Sequence, residues 1–253
     1  MLRKRVIPCL LIEDQGLVKT KKFKHPVYIG DPINALKIFN EKQADEIIVL
    51  SIDRDRYEKG PDFEFISALT SECFMPLAYG GGITNLTQIE TLFKLGVEKV
   101  VLGSLCYENP TLVKEAISIF GSQSFVGVID VKRNWIFPKK YNVKLKGGLK
   151  RIEKTPLAYL NFLENLGVGE VLIQSIDRDG QRNGYDIELL ETLSKNSNLP
   201  ILTLGGANSL EDFQKAFHVG VSGVVAGSFF VMLPPYDAVL ITYPTDKEIT
   251  NLN

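Results

Sequence analysis

The sequence predicts a single (β/α)₈ barrel assembled from two copies of a half-barrel. Three observations predict it: a chain length of 253 residues, a repeat at one fixed offset, and eight short apolar runs alternating with helical patterns. The repeat is the strongest of the three. SIDRD occurs at Ser51 and again at Ser175, and 175 − 51 = 124. MPLAYGGGITNLTQIETLFKLGVEKVVLGSL from Met75 aligns without a gap on LPILTLGGANSLEDFQKAFHVGVSGVVAGSF from Leu199 at the same offset, sharing Gly81/Gly205, Gly82/Gly206, Gly96/Gly220, Gly103/Gly227 and Ser104/Ser228. One domain over residues 1–253 is expected, with repeats of roughly 1–120 and 121–235.

Taken in order, the strands are expected at residues 5–11, 46–52, 76–79, 100–102, 125–131, 171–176, 200–204 and 223–226. These runs are short and rich in β-branched residues, the pattern of strands buried on both faces. Helical periodicity fills the gaps, as at 86–95 and 210–219, where Asn85 and Ser209 are candidate N-caps and Gly96 and Gly220 end the pattern. Alternating βα units imply a parallel sheet with right-handed crossovers, and a duplicated half favours closure over an open doubly wound sheet.

Composition narrows the function. Formal net charge is −1, so a nucleic-acid or membrane-surface role is not indicated, and no apolar run approaches the length of a membrane span. The run MLRKRVIPCLL reads as a first strand rather than a signal peptide, because Pro8 breaks it and Glu13 ends it. Cys9, Cys73 and Cys106 lack CxxC spacing and read as small buried hydrophobes in a reducing compartment, so a cytoplasmic location is expected. His25 and His218 stand far apart, and neither a metal site nor a cofactor is expected.

Catalytic groups in this fold lie at the C-terminal ends of strands. Gly81 and Gly82 follow the third strand, Gly103 and Ser104 the fourth, Gly205 and Gly206 the seventh, Gly227 and Ser228 the eighth. Glycine lets backbone N–H groups approach an anion, so two symmetry-related sets suit a substrate with two phosphate groups. Asp130 ends the fifth strand and is a candidate general acid/base, whereas Leu11 ends the first. Asp53 and Asp55, like Asp177 and Asp179, flank an arginine, so a salt-bridge role competes with a substrate role. Ser51, Ser175, Asp177 and Asp179 are taken as further pocket residues. At the opposite strand ends, Arg5, Glu46, Lys99 and Glu170 read either as solvated termini or as an inward ring. Trp135, in the loop 134–149 after Asp130, is a candidate for shaping the pocket.

Together these features resemble the cyclase subunit of imidazole glycerol phosphate synthase over nearly the whole chain. The resemblance is carried by KRVIPCL from Lys4, GLVKT from Gly16, YGGGI from Tyr79, IDVKR from Ile129, SIDRDG from Ser175, NGYD from Asn183 and GGA from Gly205. It implies ammonia made by a glutaminase subunit docked on the N-terminal face, with Arg5, Glu46, Lys99 and Glu170 as the gate. It also implies that Lys19 acts as a loop lysine closing on substrate. The family has a second catalytic aspartate where this chain has Leu11, an aspartate where it has Ser51, and usually an asparagine where it has Gly103. The runs IPCLL, KTKKFKHPVYIGDPINALKIFNEK, SECFMPLAYGGGI and AVLITYP resemble instead a divergent branch, the acetamidino modification proteins of surface-polysaccharide sugars. That branch implies that ammonia converts an acetamido group of a phosphorylated or nucleotide-linked sugar to acetamidino. The histidine-pathway cyclase, its isomerase relative and a non-catalytic barrel regulating a glutaminase are the alternatives.

Overall fold

The computed structural model describes residues 4–56, 59–134, 140–234 and 236–252. Eight parallel strands close into a TIM barrel: β1 Arg5–Glu13, β2 Ile47–Ser51, β3 Leu77–Gly80, β4 Lys99–Leu102, β5 Phe125–Arg133, β6 Glu170–Ser175, β7 Ile201–Leu204 and β8 Gly223–Ala226. Each pairs in parallel with the next, and β8 pairs with β1, so the eight have no free edge. Helices alternate with them: α1 Pro32–Glu41, α2 Phe63–Ser71, α3 Leu86–Lys94, α4 Pro110–Phe120, α5 Pro156–Leu166, α6 Ile187–Ser194 and α7 Leu210–His218. After β8 come two short helices, Ser228–Val231 and Asp246–Thr250, and the tail between them packs back through Tyr243, whose hydroxyl donates to the Val6 carbonyl at 2.8 Å.

The burial pattern separates two apolar clusters. One lies between strands and helices and holds most of the large side chains. The other fills the barrel interior, and every strand contributes to it: Ile7, Ile48, Ala78, Val101, Val126, Leu172, Leu202 and Val225. An eight-stranded barrel is just wide enough for inward side chains to fill it, which makes the interior a packed core.

The repeat is visible in the local chemistry of both halves. Asn85 and Ser209 each accept a bond from the N–H three residues on, and Gln88 and Asp212 reach back, so α3 and α7 both start on a capping box. Gly96 and Gly220 take left-handed φ of 96° and 95° just past those helices. An ion pair is duplicated as well: Arg54 to Asp62 at 3.2 Å, Arg178 to Asp186 at 3.7 Å.

Strand ends depart from expectation by one or two residues. β1 runs on to Glu13 because it continues into an antiparallel hairpin, Gly16–Lys21 with Lys24–Gly30, that rises over the mouth. β5 likewise runs on to Arg133 and pairs with Tyr141–Leu145, which pairs with Lys150–Ile152. The second strand stops at Ser51 because residues 52–56 turn helical. Cys9 and Cys106 are buried, and Cys73 is half-buried with its thiol donating to the Met75 carbonyl.

Candidate active site

Two cavities open at the C-terminal ends of the strands, one for each half. The first, about 150 Å³, is lined by Gly81, Gly82, Gly103, Ser104, Ser51 and Asp130 among others. The second, about 30 Å³, is lined by Gly205, Gly206, Gly227, Ser228, Lys19 and Asp179 among others. Leu11 and Gln174 line both. The predicted glycine and serine sets are thus brought together as two cradles across one mouth.

The glycines are there for geometry. Gly82 has φ +69° and Gly206 φ +109°, and a Cβ on either would strike a carbonyl oxygen, of Lys59 or of Gly184. The Ser104 hydroxyl accepts the Lys146 N–H at 3.0 Å, which ties the first cradle to the hairpin that follows β5. Asp130 lies on that same pair of strands, in register with Lys144.

Asp130 and Leu11 hold equivalent positions. Ile7 and Val126 both face the barrel interior, and Leu11 and Asp130 each lie four residues further along with the same inward parity. They pair with Leu50 and Gln174, which are 174 − 50 = 124 residues apart. The mouth therefore has a carboxylate on β5 and an isobutyl group on β1, where it is 7% exposed.

Lys19 lies within the strand Gly16–Lys21, buried under the hairpin, and its ammonium donates to the Cys9 carbonyl at 3.1 Å. Burial lowers its pKa below the usual lysine value of 10.5, countered in part by Cys9 and Asp179. Burial also pushes the Cys9 thiol up to about 12 and raises the Asp179 carboxyl. Asp179 accepts from the Thr20 hydroxyl at 2.7 Å and from the Phe23 N–H at 3.0 Å, so it fastens the hairpin as well as lining the second cavity.

Two expected pocket residues lie elsewhere. Asp177 accepts the Arg133 N–H at 2.7 Å and fixes the end of β5, and it lines neither mouth cavity. Ser175 lines neither cavity, because Leu172 sets the inward parity of β6 and puts Gln174 at the mouth in its place. Ser51 does reach the first cavity, its hydroxyl oxygen accepting from the Tyr79 hydroxyl at 3.1 Å. Arg182 is a residue that sequence reasoning missed. It lines the second cavity and pairs with Asp237 at 3.0 Å. Its signal was a cation in the loop directly after SIDRDGQ. Trp135 lies outside the described residues, as does the Asp55 side chain.

At the opposite face Arg5, Glu46, Lys99 and Glu170 form a closed ring of alternating charge. Arg5 reaches Glu46 at 3.1 Å and Glu170 at 2.9 Å, while Lys99 reaches Glu46 at 3.4 Å and Glu170 at 3.1 Å. The four side chains are 10 to 20% exposed. Burial by itself disfavours the Arg5 charge, and the two glutamates overcome that and raise its pKa. Among the described residues no cluster of His, Cys, Asp and Glu could hold a metal, and no helix is long and apolar enough to cross a membrane.

A closed eight-stranded barrel with a duplicated cradle and an inward carboxylate at its mouth defines a barrel with its site at the C-terminal strand ends. Within that class, the chain belongs to the histidine biosynthesis protein family, whose model matches residues 5–232. It is 46% identical over 245 residues to a Pseudomonas aeruginosa protein provisionally named imidazole glycerol phosphate synthase subunit hisF2, covering 96% of this chain and 97% of that one. A Leptospira interrogans protein provisionally named as the HisF subunit is 45% identical over 251 residues, 98% of each chain. The imidazole glycerol phosphate synthase subunit HisF of Dictyoglomus thermophilum is 39% identical over 235 residues, 91% of this chain and 90% of that one. The chain is thus a HisF-like, cyclase-type barrel.

Proposed function

We propose that this chain is the ammonia-using synthase subunit of a glutamine amidotransferase pair. Its substrate is a phosphorylated or nucleotide-linked sugar of surface-polysaccharide biosynthesis, whose acetamido group it converts to acetamidino. The observation that carries the reading is the combination of a complete charged ring at one end of the barrel with a single acid, Asp130 opposite Leu11, at the other. Imidazole ring closure in this family uses two strand-end acids, and an alkyl group at Leu11 cannot move a proton.

In this reading a glutaminase docks on the N-terminal face and releases ammonia at the ring. Opening the ring breaks an ion pair between Arg5 or Lys99 and a glutamate. The apolar layer above admits neutral ammonia and penalises ammonium, since an isolated charge there has no partner. Ammonia reaches the first cavity beside Asp130. Its nitrogen attacks the acetamido carbonyl carbon, Asp130 takes a proton from that nitrogen, and the net exchange is ammonia in and water out. Lys19 and the glycine cradles hold the phosphate end of the substrate.

Two measurements test this. Purified protein given the histidine-pathway bisphosphate and excess ammonium should form little or no imidazole product. Cells lacking the gene should carry a surface sugar with C=O where the wild type has C=NH, read by mass. Robust imidazole formation would establish instead the cyclase reading, which the names of the relatives favour. An unchanged sugar in Asp130→Asn cells would establish a non-catalytic barrel that regulates a glutaminase.

A further inference from the structure

The two cavities are unlike in charge. The first is walled by aliphatic side chains, among them Leu11, Leu50, Val101, Leu102, Val128 and Leu145, and its one lysine, Lys144, has Asp130 as its register partner. The second is lined by two cations, Lys19 and Arg182, and one carboxylate, Asp179, beside four glycines. A bisphosphate spanning the mouth would meet cations at one end and mainly hydrocarbon at the other.

The two cations sit at different depths. Lys19 is buried, and its ammonium lies where a Cβ on Gly227 would touch it, against the floor of the cradle. Among the described residues the Cys9 carbonyl is the one hydrogen-bond acceptor the ammonium reaches, although it carries three donors. Arg182 has a left-handed φ of 50° and is 16% exposed at its side chain, towards the rim. Its guanidinium is tied up by Asp237 at 3.0 Å and by the Met232 carbonyl at 3.2 Å. Asp237 belongs to the turn joining Met232–Leu233 to Ala238–Val239, and the residue before it, Tyr236, is 90% exposed. An aromatic ring standing in water one residue from the carboxylate that pairs with Arg182 offers a stacking face to a nucleobase.

We propose that the second cavity takes the diphosphate of a nucleoside diphosphate sugar, with Lys19 on the inner phosphate, Arg182 on the outer one and Tyr236 under the base. The sugar then crosses Leu11 and puts its acyl amide in the aliphatic first cavity beside Asp130. Asp237 competes with the ligand for Arg182, so binding exchanges one carboxylate for a phosphate. This deepens the sugar-amidination reading and rests on it for the identity of the group delivered to Asp130.

Calorimetric titration of the full chain with inorganic phosphate, pyrophosphate, uridine diphosphate and farnesyl diphosphate tests the assignment. Pyrophosphate should bind at least about tenfold more tightly than phosphate, and uridine diphosphate more tightly again. Arg182→Ala should weaken pyrophosphate about tenfold, while Arg151→Ala, which removes an exposed arginine elsewhere, should leave it unchanged. Asp237→Asn should tighten pyrophosphate several-fold, a result that a merely structural Arg182–Asp237 pair would not produce. Tyr236→Ala should weaken uridine diphosphate about fivefold or more and leave pyrophosphate unaffected. Equal affinity for phosphate and pyrophosphate, or loss of affinity in Asp237→Asn, overturns the assignment. A preference for farnesyl over uridine diphosphate that ignores Tyr236 overturns its nucleoside part. Failure here with acetamidino still lost in cells lacking the gene overturns this assignment alone; normal acetamidino in those cells overturns the amidination reading itself.

Discussion

The first and second half-barrels share their scaffold and differ in what they present at the mouth. Both begin the helix after the glycine pair on a capping box, both hold an Arg–Asp pair against that glycine turn, and both use positive φ where any side chain would strike a carbonyl. Yet the first cavity is mostly hydrocarbon with one acid at its edge, and the second carries two cations. The difference teaches that the repeated residues are those that set backbone shape, and the side chains that face the ligand have diverged between the halves. Function has to be read from the unequal residues.

The sharpest way to break the comparison is at Asp130. Asp130→Asn keeps the volume and removes the base, and it should lower acetamidino formation about 100-fold or more while the melting temperature stays near wild type. If the acid were only a strand-end contact, product formation would survive and stability would fall instead.

Next in size is the ring, which belongs to neither half alone: Arg5 opens the first repeat's first strand, Glu46 immediately precedes its second, Lys99 opens its fourth, and Glu170 comes from the second repeat. Glu170→Gln leaves Arg5 and Lys99 with Glu46 as their one remaining ring carboxylate. Glutamine-driven turnover in the glutaminase complex should fall about tenfold, ammonium-driven turnover far less, with a stability loss of about 3 kcal/mol or less because the ring is partly exposed. Equal loss with both nitrogen sources would mean that the ring only holds the barrel together.

The shared scaffold makes its own prediction. Gly82→Ala and Gly206→Ala should destabilise the protein to a similar degree, about 1–3 kcal/mol each by chemical denaturation, since each forces a methyl group into a carbonyl at positive φ. A large inequality would show that the two turns carry different loads.

Charge at the second cavity should show in pH dependence. An anion prefers Lys19 as ammonium, and burial has lowered that lysine's pKa. Pyrophosphate affinity should therefore decline as pH rises from neutrality, and the decline should begin below the ordinary lysine value of 10.5. Lys19→Arg keeps its charge across that range and should flatten the profile, and Lys19→Met should be weak and flat throughout. A wild-type profile as flat as that of Lys19→Met would remove Lys19 from the site.

The barrel was legible because its strands are short apolar runs repeated at one offset, and the cradles because glycine pairs recur at their ends. The hairpins over the mouth were not. Their turns use Asp14–Gln15 and Lys22–Phe23, residue pairs at φ between 46° and 63°, instead of the Asn-Gly or Asp-Gly that signals such a turn. Gln174 is obscured in the sequence by the adjacent SIDRD repeat, which singles out Ser175 instead. The alternation of Glu170, Leu172 and Gln174 on the inward face was the better guide. Arg182 and Asp237 meet only through the fold, 55 positions apart by their numbers, 237 − 182.

The smallest expected effect tests how alike the scaffolds are. The capping boxes on α3 and α7 have the same geometry but different partners at the third helical position. Gln88 accepts from the Thr84 and Asn85 N–H groups as a neutral amide, and Asp212 accepts from the Asn208 and Ser209 N–H groups as a carboxylate. Asn85→Ala and Ser209→Ala should each cost about 1 kcal/mol. Asp212→Ala should then cost about 0.3–1 kcal/mol more than Gln88→Ala, because a negative charge in the first turn also meets the positive end of the helix. That excess is Coulombic and should shrink in high salt, whereas the Gln88 loss should not move. If the two losses match at low salt, the halves are equivalent even at this position, and their divergence is confined to the mouth.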